Sequence, residues 1–228
     1  MATILQLETA TQVCSAAIAV NGETIALKEL AAQNIHAGSL TLFIQDVMAT
    51  AGLTYAELDA IAVSKGPGSY TGLRIGVSTA KGLCFALDKP LIGVETLRMM
   101  AQGFLRTADS YTGLVCPMID ARRMEVFTGL YDHKLNEVLP VEAKIIEETA
   151  YQQQLHEQQI TFIGDGAMKC SDAIISSNAA FSDLNFNSAA NMSLLAYNAF
   201  TAGHFEDVAY FEPYYLKDFV VTQAKKKV

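Results

Sequence analysis

Two acids at matching positions are the residues of this sequence best suited to chemistry. Glu8 closes the first apolar run, and Asp120 closes a similar run in the second half. A carboxylate at a strand end, followed by a polar turn, can organise a divalent cation and water around a phosphoryl group. The segment Lys65–Gly76 supplies a second element of such chemistry. Its Gly66-Pro67-Gly68-Ser69 turn leads into a helical pattern, where free backbone N–H groups can receive a phosphate or carboxylate. Gly66 and Gly68 permit dihedrals closed to other residues, Pro67 fixes φ between them, and Ser69 can cap the helix. Gly164-Asp165-Gly166 is a further turn able to approach a nucleotide. The candidate nucleotide or phosphate contacts are therefore Glu8, Thr9, Asp120, Arg122, Gly164 and Gly166. On this reading the chain is an ATP-dependent phosphotransferase or hydrolase using Glu8 and Asp120. Against it, Arg122 and Arg123 follow Asp120 closely enough to neutralise it by an ion pair. The pattern is neither a P-loop, which needs Gly-Lys-Ser/Thr, nor the dinucleotide fingerprint, where Thr71 stands in place of the third glycine.

Other chemistries find less support. His36, His133, His156 and His204 are dispersed, and no His, Cys or carboxylate cluster has metal-ligand spacing, so no metal site is expected on this chain. No Ser-His-Asp or Cys-His arrangement can be argued, and no His-Glu-x-x-His supports a peptidase. Cys14, Cys84, Cys116 and Cys170 are widely spaced and read as reduced, buried thiols of a cytosolic protein. The formal net charge is -8 and the sequence pI about 5.0, whereas a surface that grips RNA by itself shows a basic stripe. The one positive run, Lys225–Lys227, is a short terminal one. Hydrophobic residues reach 51% against 18% charged, with mean hydropathy +0.23, which fits either a well-filled core or extra apolar surface that a partner could cover. No apolar run approaches the roughly 20 residues of a membrane span, so a soluble cytoplasmic protein with no membrane partner is expected.

The elements that must position the acids repeat. Thr3–Leu7 alternates like a strand and reaches Glu8; Cys14–Val20, the hairpin signal Asn21-Gly22 and Thr24–Leu30 complete a meander. A helix over about His36–Ala51 carries Leu40, Phe43, Ile44, Val47 and Met48 at helical spacing and stops at Gly52. A strand at Asp59–Ser64, a helix over about Ser69–Leu87 and a strand at Leu91–Val94 follow. After a connecting helix near Leu97–Thr107 the order recurs: strands Leu114–Ile119, Met124–Tyr131 and Leu135–Pro140, a helix over Glu147–Gln158, a strand at Ile160–Ile163, and helices near Met168–Ser176 and Ser188–Phe205. Each half reads as a mixed sheet covered by helices, the plan of the actin, hexokinase and Hsp70 superfamily. The expected fold is thus α/β, with two duplicated lobes, 1–96 and 97–228, each a five-stranded mixed sheet flanked by helices. Within the second helix Gly72 and Gly76 lie four apart and Ala80 extends the stripe. Small residues there admit another backbone, either of this chain's own sheet or of a second subunit; glycine costs roughly 1 kcal/mol at such a position.

Gly66–Gly76 closely resembles the Gly-Pro-Gly-Ser-Phe/Tyr-Thr-Gly-Leu-Arg-Ile-Gly signature of the TsaB family. The resemblance extends to Glu8-Thr9-Ala10-Thr11, His36–Leu40, Ile119–Arg123, Gly164–Gly166 and Glu212–Leu216; the family usually carries Asp at the position of Glu8. It implies a non-catalytic subunit for formation of N6-threonylcarbamoyladenosine in tRNA. The partner is a related TsaD-type transferase, and a TsaE-type ATPase is recruited; tRNA is bound through the complex, and the chain forms a homodimer when alone. ATP or ADP and metal are then expected on the partners, with no cofactor on this chain. The resemblance also places the contact on the two N-terminal helices, with His36, Leu40, Phe43, Tyr70, Gly72, Leu73, Gly76 and Ala80 at the interface. TsaD carries a His-x-x-x-His pair on its first helix; here His36 is followed four residues on by Leu40.

Overall fold

The computed structural model describes residues 1–32, 35–108 and 110–217; the Lys225–Lys227 run lies outside them. β1 (Thr3–Glu8) and β2 (Val13–Val20) are buried along nearly their whole length, and β3 (Glu23–Ala31) forms an exposed edge. Asn21 and Gly22 both have positive φ, the two-residue turn that matches strand twist in a hairpin. α1 (His36–Ala51) ends on Gly52 in the left-handed region, as helix termini often do. β4 (Ala60–Gly66), α2 (Tyr70–Leu87) and β5 (Leu91–Glu95) complete a sheet of order β3-β2-β1-β4-β5.

α3 (Thr96–Thr107) leads to the second sheet, built from β6 (Leu114–Asp120), β7 (Glu125–Tyr131), β8 (Glu137–Ile145), β9 (Ile160–Ile163) and β10 (Ala179–Phe181). Its order, β10-β9-β6-β7-β8, is the first sheet's order read from the other edge. In both sheets the first strand pairs antiparallel with the second and parallel with the fourth. The duplication expected from the sequence is therefore present strand for strand.

The helices of the second half differ from the expected ones. Only α4 (Gln152–Glu157) forms within 147–158, because Tyr151 sits at φ 60 and interrupts the helical path. Its ring packs 5.5 Å from Phe162 and its hydroxyl meets Thr128, so burial holds this conformation. Within 168–176 there is a short 3-10 turn at Met168–Cys170. Within 188–205 a 3-10 turn, Ala189–Met192, precedes α5 (Ser193–Thr201).

The period-two alternation of each strand feeds three cores. Leu5, Leu7, Ile61 and Val63 face α1 and α2. Ile4, Ala60, Ala62 and Ile92 face the opposite way, into a core shared with α3, Phe127 and Tyr131 of the second sheet, and Met192 and Ala196 from near the C-terminus. The third core lies between the second sheet and α4. The last helical segment thus packs back on the first lobe.

Candidate functional site

The Gly66–Gly76 segment closes on the first-lobe turn of its own chain. A Cβ on Gly72 would lie 2.0 Å from the Thr9 carbonyl oxygen, and one on Gly76 would lie 2.3 Å from Thr9 Oγ1. That hydroxyl donates to the Gly72 carbonyl at 2.8 Å, and the Ser69 N–H donates to Ala10 at 2.7 Å. Ser69 caps α2 by accepting from the Gly72 N–H. The small-residue stripe therefore serves an approach within the chain, with Thr9 as the occupant.

This corrects the expected interface. Leu40, Phe43, Leu73 and Ala80 are buried in the first-lobe core, as are Gly72 and Gly76 against Thr9. His36 is buried too, with Nε2 3.2 Å from the Val13 carbonyl. The apolar side of each helix faces the sheet, which leaves only the opposite side for a partner. Tyr70 alone of that set is half-exposed. The outward side presents Leu42 on α1, 56% exposed, and Phe85 on α2, 86% exposed. Sequence periodicity could have found both, as apolar residues off the buried stripe.

The acids separate in the same way. Glu8 does not reach the cleft: alternation puts it on the inner face of the sheet with Gln6, beside Ser15 on β2 and next to Ser64 on β4. It is fully buried; Oε1 accepts from the Ala10 N–H at 2.5 Å, and Oε2 has no hydrogen-bond partner among the described residues. Burial, opposed by the Ala10 N–H, pushes its carboxyl up to about 7. Thr9 is likewise buried by its bond to Gly72. Glu8 and Thr9 are thereby corrected from nucleotide contacts to packing residues.

Asp120 does line a cleft of about 960 Å³ between the lobes, together with Arg122, Asp165 and the Gly68–Gly72 turn. It is already engaged: Lys169 Nζ pairs with its carboxylate, and the Arg122 N–H donates to Oδ1 at 2.8 Å. Burial raises its pKa, but Lys169 and the Arg122 N–H outweigh burial and hold it below the usual carboxylate range. The neutralising cation is thus Lys169, where the sequence had suggested the neighbouring arginines. Lys169 stands three residues after Gly166, on the turn that the Gly-Asp-Gly motif opens, a spacing that could have signalled it. Asp165 accepts from the Asp120 N–H at 3.0 Å, and burial raises its carboxyl. Gly164 and Gly166 do not open toward a ligand, because a Cβ on either would strike β6, at Met118 or Ile119. Both are corrected to packing positions; Arg122 remains at the cleft.

One wall of the cleft was not foreseen. Residues 206–217 form a strap that begins on the first lobe, where Glu206 bridges Leu91 and Lys81 donates to the carbonyls of Ala209 and Phe211. The Tyr214 N–H donates to Lys65 at 2.6 Å, and Tyr215 packs on Tyr70 with centroids 4.8 Å apart. Lys217 then pairs with Glu125 and lies over Phe127 of the second lobe. Among the described residues no group of three or more His, Cys, Asp or Glu could hold a metal ion, and no helix is long and apolar enough to cross a membrane.

Comparison with known proteins agrees with this architecture. A family model described as "TsaD: tRNA N6-adenosine threonylcarbamoyltransferase" matches residues 28–226. The tRNA threonylcarbamoyladenosine biosynthesis protein TsaB of Escherichia coli K12 is 33% identical over 222 residues, covering 94% of each chain. YeaZ from Pseudomonas aeruginosa superposes with TM-score 0.82 at 27% identity, over 95% of this chain and 100% of that one. The Acidaminococcus fermentans (R)-2-hydroxyglutaryl-CoA dehydratase component A, at 10% identity and TM-score 0.52 over 87% of this chain and 98% of that one, shares the fold alone.

Proposed function

This chain belongs to the TsaB (YeaZ) family, and from that premise we propose that it is a non-catalytic subunit in the formation of N6-threonylcarbamoyladenosine in tRNA. The observation that carries the non-catalytic reading is the state of the two acids. Glu8 is sealed inside the first lobe, and Asp120 is held by Lys169. A phosphotransferase of this fold needs both carboxylates at the cleft to organise metal and water. Leu40 supports the same reading, since it fills the core where the resemblance to TsaD calls for a second histidine.

In this proposal the transferase is a TsaD-type partner bound to the outward side of α1 and α2, and a TsaE-type ATPase joins the assembly. ATP or ADP and metal sit on those partners, and tRNA is held by the complex. The same outward side joins two copies when the chain is alone. The apolar exposure of Leu42 and Phe85 supports this surface, because large side chains in water at a helix face gain by being covered. The test is reconstitution of threonylcarbamoyl transfer to tRNA from purified components. Omitting this chain is expected to abolish or strongly reduce transfer, while the chain alone shows negligible ATP turnover. Robust Mg²⁺-dependent turnover by the isolated chain, lost in Asp120→Ala, would overturn the non-catalytic assignment.

A further inference from the structure

Glu8 has no part in the proposed assembly, yet a core seldom keeps such a group unless it is paired. It is fully buried, as are Gln6 two residues before it on β1, Ser15 opposite it on β2 and Ser64 on β4. None of the ion pairs among the described residues includes it. Glu8 Oε2, Ser64 Oγ and Gln6 Nε2 all lack a hydrogen-bond partner among the described residues. Ser193 covers this patch by donating to Gln6, and the Ala189 N–H does so by donating to Ser15. The groups reaching the carboxyl from β2, β4 and residues 189–193 are therefore hydroxyls and amides. The titratable neighbour is the Cys14 thiol on β2, which burial and then the Glu8 charge push up to about 11, so it stays neutral.

A short chain of bonds ties this carboxyl to the cleft. Its Oε1 accepts from the Ala10 N–H, and the Ala10 carbonyl accepts from the Ser69 N–H at 2.7 Å. Beside them Thr9 Oγ1 donates to the Gly72 carbonyl at 2.8 Å. Ala10, Ser69 and Gly72 all line the cleft between the lobes. The turn after Glu8 thus stands between a sealed acid and the first turn of α2, with one polar contact on its inner side and two on its outer side.

We propose that Glu8 is a proton-sensitive latch on the cleft wall: neutral, it stays sealed and holds the Thr9–Ala10 turn against α2; ionised, it takes up water, and the turn lifts from α2. The two states differ because a dry carboxylate without a cation costs far more than a dry carboxylic acid. Lifting the turn hydrates Oε2, and the proton of the acid passes to solvent water. The bonds broken are those of Thr9 to Gly72 and of Ala10 to Ser69, so the opening is local to this wall. Burial, opposed by the Ala10 N–H, brings the carboxyl to about 7, which sets the change near neutral pH.

Amide exchange of the full chain, corrected for the chemical pH dependence of exchange itself, tests the latch. Protection of the Ser69, Gly72 and Leu73 amides should fall about tenfold between about pH 6 and about pH 8. In Glu8→Gln it should not change with pH. Thr9→Val should lower it about fivefold at both values and keep the tenfold ratio, because it removes a bond that does not titrate. Low urea separates local from global opening: exchange at Ser69–Leu73 should hardly respond, while the buried stretch of α1 from Ile44 to Met48 follows the global slope. Should Glu8→Gln fail to fold, the carboxyl carbon shift of Glu8 in the unaltered chain must titrate with the same midpoint as the exchange. Protection unchanged with pH, a decline that persists in Glu8→Gln, a urea slope equal to that of α1, or a different carboxyl midpoint would each overturn the proposal.

Discussion

A methyl group added at Gly72 has nowhere to go, because its position is 2.0 Å from a backbone oxygen of the neighbouring turn. Gly72→Ala is expected to destabilise the chain by about 3 kcal/mol, the upper end for overpacking. Gly82 is the control in the same helix: nothing lies within 4 Å of its Cβ position. Gly82→Ala should stabilise by roughly 0.5–1 kcal/mol through the lost freedom of the unfolded chain. Urea unfolding of both variants checks the pair, and similar effects at the two sites would contradict the packing described for Thr9. Glu8 gives a prediction in pH. Its folded pKa of about 7 lies above the ordinary 4.5, so folding favours the protonated form. That contribution is fully present below pH 4.5 and is lost as pH rises through about 7. Its size is about 3 kcal/mol, at ~1.4 kcal/mol for each pH unit between the two values. Glu8→Gln should remove this decline from a pH series of unfolding measurements. An unchanged slope would show that Glu8 does not carry it.

At the scale of elements, α1 and α2 each divide into a buried and an outward side, and the division sets what substitutions report. Leu42→Glu and Phe85→Glu alter exposed positions and should change folding stability by no more than about 0.5 kcal/mol. The same changes should abolish self-association in sedimentation and co-purification with a TsaD-type partner. Persistence of both would move the interface elsewhere. Much of this was legible in the sequence. Apart from β10, the strands of both halves, their acids and the first two helices follow from alternation and helical spacing, and the fold follows from their repetition; three half-buried residues at Ala179–Phe181 carry too little pattern to signal a strand. The direction of the Gly72/Gly76 stripe did not follow, because small-residue spacing signals a close approach without naming the approaching backbone. The long helix expected over 147–158 was lost because Tyr151 buries its ring against Phe162 and its hydroxyl against Thr128, tertiary contacts that helical spacing does not encode. Lys169 was missed as the partner of Asp120 because 49 residues separate them.

The whole molecule is two copies of one sheet plan, joined by a shared core around α3 and by the strap over residues 206–217. The strap holds to the first lobe through the Lys81 ammonium, which donates to the Phe211 carbonyl, and the Tyr214 N–H, which donates to the Lys65 carbonyl; it holds to the second through Lys217 and Glu125. Tyr215 lies between those anchor points. Tyr215→Ala should cost about 1 kcal/mol from the lost ring contact with Tyr70. Amide exchange should then quicken over residues 212–217 while α1 and α2 keep their protection. Faster exchange throughout the first lobe would mean that the strap supports that lobe as a whole.

The return of α5 to the first sheet has a consequence for synthesis on the ribosome. Ser193 donates to Gln6, and the Ala189 N–H donates to Ser15, so the inner face of the first sheet is covered by residues made 174 to 187 positions later. A nascent chain that has released β1 to β5 exposes that face, Glu8 and Ser64 included, to water. Vectorial folding can assemble α1 and α2 on the outer side early, but the first lobe is finished only when residues 189–201 have emerged.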